Sequence, residues 1–315
     1  MYLSSKINSM KKQVLILSRR DERANYDTAL SMTKKLNEYN NKEVEYSASF
    51  LEDLCFYFDG QELKVTDTLN DRDLIFYDAC FVIGWFKSRK LEDLALSVGI
   101  YLKSHGKKVL NSEVLSNRSR SKLSQLVYAS LNGVKTTEFL AINEVEQLES
   151  FLAKTKLKYP FIAKSASASR GDNNYLVKNY EELHEIIKSL PTKIVLLQEF
   201  IPNQGDLRVI VMGEEVKLVI KRTSINDSHL NNTSQGGKAE IVSIEEQDKS
   251  MLEQSVVISK LLGREITGVD MIQHQETGEY YMLEVNNMPQ LSTGSFVDEK
   301  AKVLSSYLAS WASDI

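Results

Sequence analysis

The stretch "GVDMIQHQETGEYYMLEVN", residues 268–286, decides the fold. Two apolar segments flank Glu276-Thr277-Gly278, so they read as antiparallel strands joined by a turn. Side chains alternate along a strand. Tyr280, Met282, Glu284 and Asn286 therefore fall on one face, and Tyr281, Leu283 and Val285 on the other, toward a core. A two-residue turn would set Asp270 opposite Val285. A three-residue turn with Gly278 left-handed sets Asp270 opposite Glu284, and glycine commonly takes that place. The expectation is the three-residue turn, with Asp270, Glu284 and Asn286 on one face. Two carboxylates and an amide oxygen form a hard, all-oxygen donor set. Such a set suits Mg²⁺ or Mn²⁺ held together with phosphates. Taken alone, the hairpin is equally compatible with a solvated face carrying scattered polar groups.

The rest of the chain narrows that choice. Its 315 residues are enough for two or three lobes, and 42% are hydrophobic, enough for sizeable cores. The formal net charge is −4, which gives no argument for nucleic acid or an anionic membrane as partner. Cys55 and Cys80 belong to no metal-binding spacing and read as reduced thiols. With no apolar run long enough for a membrane span, a cytoplasmic protein is expected. Strand-like "QVLILS" (13–18), "EVEYSASF" (43–50) and "LIFYDACFVIGWF" (74–86) alternate with helical stretches. They predict a small open α/β domain over residues 1–115. A helix follows, with Ser119 or Ser121 near its start and Gly133 past its end. Antiparallel hairpins dominate from there on, an α+β pattern.

Phosphates need cations and close backbone. Lys164 ends the apolar strand "FIAK" and leads into "SASASRGDNN", a loop of small residues. In "LLQEFIPNQGDLRVIVMG", an apolar strand runs into Gln198, Glu199, Phe200 and Ile201, then reaches Asp206 and Arg208. A segment of this kind can offer backbone groups to an adenine edge, with an acid nearby for ribose hydroxyls.

The ordered set "K…K…QEFI…DLR…KR…N…GG…GVD…EVN" resembles the ATP-grasp superfamily, and within it the RimK-type carboxylate–amine ligases, which are similar to glutamate ligases and glutathione synthetase. The resemblance covers roughly residues 116–310. It implies an ATP-grasp fold, two α+β lobes clamping ATP, preceded by a small Rossmann-like α/β domain. The implied lobes are 116–196, with the nucleotide lysines and phosphate loop, and 197–315, with the hinge and metal site. Lys122 and Lys164 look like the nucleotide lysines. Gln198, Glu199, Phe200 and Ile201 look like the adenine hinge, and Asp206 like the ribose acid. Arg222 looks like the cation at the transferred phosphoryl group, Arg208 like an arginine near phosphates or acyl substrate, and Asn232 like the residue closing over the phosphates. Asp270, Glu284 and Asn286 look like ligands of two metal ions, with Met282 under the adenine. The chain departs from the pattern in three places. The phosphate loop is poor in glycine, leaving Ser169 and Arg170 to take over contacts. Gln290 stands where a glycine is usual, and Ser121 where an acid precedes the first lysine.

The implied reaction transfers the γ-phosphoryl of ATP to a carboxylate, and an amine then attacks the acyl phosphate. Positioning and charge stabilisation suffice for it, without a nucleophilic side chain. His105, His184, His229 and His274 are scattered, and no Ser/His/Asp or Cys/His set is evident; His229, in the loop before Asn232, has the best claim to touch substrate. The implied partners are a carboxylate, whether amino acid, peptide or protein, and an amine; oligomers are common in the family. Two other classes remain: a kinase of the same fold, and an ATP-binding module without catalysis. Lys87, Arg89 and Lys90 offer a basic turn that suits an acidic substrate, although a solvated turn explains them as well.

Overall fold

The computed structural model describes residues 11–20, 28–39, 43–83, 88–116, 121–143, 146, 148–165, 174–189, 195–224 and 237–313. The chain forms two compact units. One comprises residues 1–117, 263–266 and 287–315, and the other 118–262 and 267–286. Neither is continuous in sequence, because the hairpin of residues 267–286 belongs to the second unit while its flanks belong to the first.

In the first unit, β1 (Lys12–Ser18) is buried on both faces from Val14 onward. It pairs in parallel with β2 (Val44–Phe50), which follows helix α1 (Thr28–Glu38). A hairpin of β3 (Leu54–Phe58) and β4 (Leu63–Asp67) comes next, extended by β5 (Arg72–Asp73). The main sheet continues with β6 (Ala79–Val82), helix α2 (Arg89–Ser104) and β7 (Lys108–Leu110), in the all-parallel order β2-β1-β6-β7. Continuous apolar strands covered by helices are what a parallel sheet requires. One cluster built from Leu15, Leu17, Val65, Tyr77, Val98 and Leu102 fills one side.

The second unit opens with α3 (Lys122–Leu131), capped where Ser121 Oγ accepts from Ser124 N at 3.2 Å. A four-stranded antiparallel sheet follows, in the order β10-β9-β11-β8. Its strands are β8 (Phe139–Ile142), β9 (Phe161–Ser165), β10 (Asn174–Val177) and β11 (Val195–Glu199). Helices α4 (Leu148–Leu152) and α5 (Tyr180–Ser189) contribute Leu148, Leu183 and Ile187 to its core. A five-stranded sheet completes the unit, in the order β14-β13-β12-β15-β16. Its strands are β12 (Asp206–Met212), β13 (Glu215–Thr223), β14 (Lys238–Val242), β15 (Ile266–Gln273) and β16 (Tyr280–Asn286), with α6 (Lys249–Leu262) between β14 and β15. Leu126 and Ala129 of α3 and Met251 and Ile258 of α6 pack with Val209, Val219, Val269, Met271 and Val285 of this sheet. The last helix, α7 (Val297–Ser313), belongs to the first unit.

The β15–β16 hairpin pairs Asp270 with Glu284, but not through the expected turn. His274 N donates to Glu279 O at 2.9 Å, so the turn is the four residues Gln275–Gly278, with Gly278 left-handed at φ +72°. That register alone would set Asp270 against Leu283. A bulge shifts it: Met271 pairs with Met282 and Asp270 with Glu284, leaving Leu283 as the extra residue. The bulge also breaks the face assignment. Met282 joins Val285 in the apolar core, fully buried, on the side opposite Glu284. Met282, expected beneath an adenine, thus sits among apolar core residues.

Among the described residues, no helix is long and apolar enough to cross a membrane.

Candidate functional site

The second unit gathers four cations and three acids from α3 and both of its sheets. Lys122 is the first residue of α3, Lys164 lies on β9, Arg208 on β12 and Arg222 on β13. Asp206, Asp270 and Glu284 come from β12, β15 and β16. All but Arg208 and Glu284 are buried. Such density of buried charge survives only where opposite charges and hydrogen bonds meet.

The arginines and aspartates form one chain. Arg222 donates from Nε and Nη2 to both oxygens of Asp206, at 2.6 and 2.9 Å, and its Nη2 lies 3.1 Å from Asp270 Oδ2. Arg208 grips Asp270 with the same fork, 2.8 Å on each branch. Asn286 Nδ2 adds a bond to Asp270 Oδ2 at 3.2 Å. Burial pushes the Asp270 carboxyl up, but the charges of Arg208 and Arg222 and their hydrogen bonds outweigh it and hold it at about 2. Burial likewise disfavours the charged Arg222, and its two carboxylate partners outweigh that as well. Asp206, expected as a ribose acid, engages Arg222 with both oxygens at 8% exposure.

The lysines and Glu284 form a second cluster. Lys122 Nζ lies 3.4 Å from Glu284 Oε2. Lys164 carries its charge at a cost. Burial first and the Lys122 charge second lower its pKa to about 7, with Glu284 partly compensating. Two buried ammonium groups sharing one carboxylate are short of negative charge.

At the hinge, Gln198 is buried and its Nε2 donates to Thr137 Oγ1 at 2.9 Å. Glu199 N donates to Glu138 O at 2.9 Å, and Asn203 Nδ2 donates to Ile201 O at 2.8 Å. The Ile201 N–H, by contrast, has no partner among the described residues. Phe200 is half-buried beside it. Gly205 at φ +124° brings the chain against β13, so close that a Cβ there would stand 2.4 Å from Arg222 O. Sequence reasoning passed over Gly205, Thr137 and Gln125, whose Oε1 accepts from Val285 N at 2.8 Å. Only the glycine carried a visible signal, in "NQGD" before a strand.

The oxygens of Asp270, Glu284 and Asn286 suit a hard divalent cation in chemistry, while both Asp270 oxygens are engaged by Arg208 and Arg222. Asp270 and Glu284 are register partners, and the Asn286 amide touches Asp270. Among the described residues, no three His, Cys, Asp or Glu gather into a metal-binding group. Two carboxylates and one amide leave a six-coordinate ion to be completed by phosphate oxygens and water. Arg89 and Lys90 are exposed in the first turn of α2. Lys87, Ser169, Arg170, His229 and Asn232 lie outside the described residues.

Known proteins resemble this chain in sequence and in fold. The model of the RimK-like ATP-grasp domain matches residues 117–305. The probable alpha-L-glutamate ligase of Pasteurella multocida strain Pm70 is 31% identical over 225 residues, covering 69% of this chain and 68% of that protein. The ATP-grasp ligase PsnB, solved with a minimal precursor, Mg and ADP, superposes with a TM-score of 0.68 at 17% identity, over 95% of this chain and 98% of its own. The RiPP-associated ATP-grasp ligase of Chryseobacterium gregarium, solved with ADP and a leader and core peptide, also gives 0.68 at 17% identity, over 96% and 97%. These structural likenesses carry the fold: an α+β ATP-grasp body behind a small α/β domain. With well over half its length matched by the family model, the chain belongs to the RimK-like ATP-grasp domain family.

Proposed function

We propose that this chain is an ATP-dependent carboxylate–amine ligase, forming an amide bond through an acyl phosphate and releasing ADP and phosphate. The observation that carries the reading is the pairing of four cations with an oxygen-only donor set in one unit. Lys122 and Lys164, short of counter-charge, would receive the phosphates. The Ile201 N–H, which has no partner among the described residues, and the apolar hinge around it would receive the adenine edge. Arg222, steered by Asp206, would hold the transferred phosphoryl group, with Arg208 toward the acyl side. Asp270, Glu284 and Asn286 would hold Mg²⁺, one or two ions, which neutralises phosphate charge when bound. Asn232 would close over the phosphates, and Ser169 and Arg170 would supply contacts from the phosphate loop.

The carboxylate acceptor we infer is an amino acid or peptide. Support comes from the glutamate ligases among the relatives and from structural neighbours solved with peptides. Homo-oligomer formation belongs to the same reading.

The test is a screen of ATP consumption over amino acids and acidic peptides, read by product mass. The reading expects ADP, phosphate and a product heavier by the amine minus water. It also expects Glu284→Gln to abolish turnover. ATP turnover unchanged in Glu284→Gln with every substrate would remove the site assignment.

A further inference from the structure

β16 is the outer strand of the five-stranded sheet, so its free edge presents backbone N–H groups that must find partners. Two are met from α3 and the segment after it. Met282 N donates to Lys135 O at 2.8 Å, and Val285 N donates to the Gln125 side chain at 2.8 Å. Gln125 is 5% exposed and lies one helical turn beyond Lys122 on α3. Val285 is the neighbour of Glu284, the carboxylate that Lys122 reaches at 3.4 Å.

Apolar packing of Leu126 and Ala129 attaches α3 to the sheet but is tolerant of sliding along it. A hydrogen bond to one backbone N–H is directional and fixes the register of helix against strand. We propose that Gln125 is a positioning residue of the nucleotide site: it sets α3 against β16 so that Lys122 and Glu284 act on one phosphate–metal cluster. Gln125 Oε1 is engaged by the Val285 N–H, so its effect on the site passes through Lys122 and Glu284. The inference rests on the proposed nucleotide site and adds to it a residue outside the charged set.

The experiment uses the full chain and MgADP or metal-free ADP as probes, with calorimetric affinities, thermal unfolding and hydrogen exchange at the Val285 amide. Gln125→Met keeps length and loses the acceptor, while Gln125→Glu keeps an acceptor. The expected result for Gln125→Met is faster exchange at Val285 and MgADP affinity weakened about tenfold. The advantage of MgADP over metal-free ADP should shrink as well. Gln125→Glu should restore Val285 protection and most of that advantage. A merely structural role would lower the unfolding temperature and leave the metal advantage unchanged. That outcome, or unaltered MgADP binding in Gln125→Met, overturns the inference. If the wild-type chain binds no MgADP, the nucleotide site itself fails, a result distinct from either.

Discussion

Replacing Asp206 with Asn isolates the arginine chain from the rest of the site. Arg222 and Asp206 are a buried, doubly hydrogen-bonded pair, at 4% and 8% exposure. Removing one partner of such a pair costs about 3–5 kcal/mol. Two features pull the value to the low end. Arg222 retains Asp270 at 3.1 Å, and the asparagine oxygen still accepts one bond. A loss of about 3 kcal/mol lowers the unfolding temperature of a unit this size by about 6–12 °C. Calorimetry without nucleotide reads it directly. The double variant Asp206→Asn with Arg222→Met removes both charges and leaves Asp270 with Arg208, so it should regain much of the loss. An acid reserved for ribose would instead leave the nucleotide-free stability intact and weaken only the stabilisation by ADP. A single variant melting within about 1 °C of wild type, or a double variant no more stable than the single, would refute this pairing as a source of stability.

Two other perturbations follow from the same geometry. Lys164, with its pKa lowered to about 7 by burial and by Lys122, is largely neutral at pH 8, and polyphosphate favours its charged form. Nucleotide binding should therefore take up close to one proton at about pH 8 and almost none at about pH 6. Calorimetry in buffers of different ionisation enthalpy measures this, and equal uptake at both values would contradict it. Gly205→Ala forces a Cβ to within 2.4 Å of Arg222 O at a φ of +124°. It should cost about 3 kcal/mol or more in denaturant unfolding; a neutral result would show that the turn into β12 is not constrained.

Much of the fold was readable because its strands differ in kind. Val14–Leu17 is apolar throughout, as a doubly covered parallel strand must be, whereas the later strands alternate or carry charges at their ends. The pairing of Asp270 with Glu284 was anticipated for the wrong reason. Periodicity assumes an unbroken pleat, and no residue type in "YYMLEVN" announces that Leu283 is extra. Charge partners were less legible still. Asp206 and Arg222 stand 16 positions apart, and only the register of β12 against β13, which sets them directly opposite, brings their side chains together. Gln125 was invisible because a glutamine on a helix is ordinary until the outer edge of β16 is placed beside it.

The central claim, that the site activates a carboxylate for attack by an amine, is tested most directly by hydroxylamine trapping. The full chain is incubated with MgATP, hydroxylamine and a panel of glutamate and glutamate-containing peptides. A hydroxamate of one of these carboxylates is expected, formed with stoichiometric ADP and phosphate and absent in Glu284→Gln. A stable phosphoester with no hydroxamate would contradict it and identify a kinase.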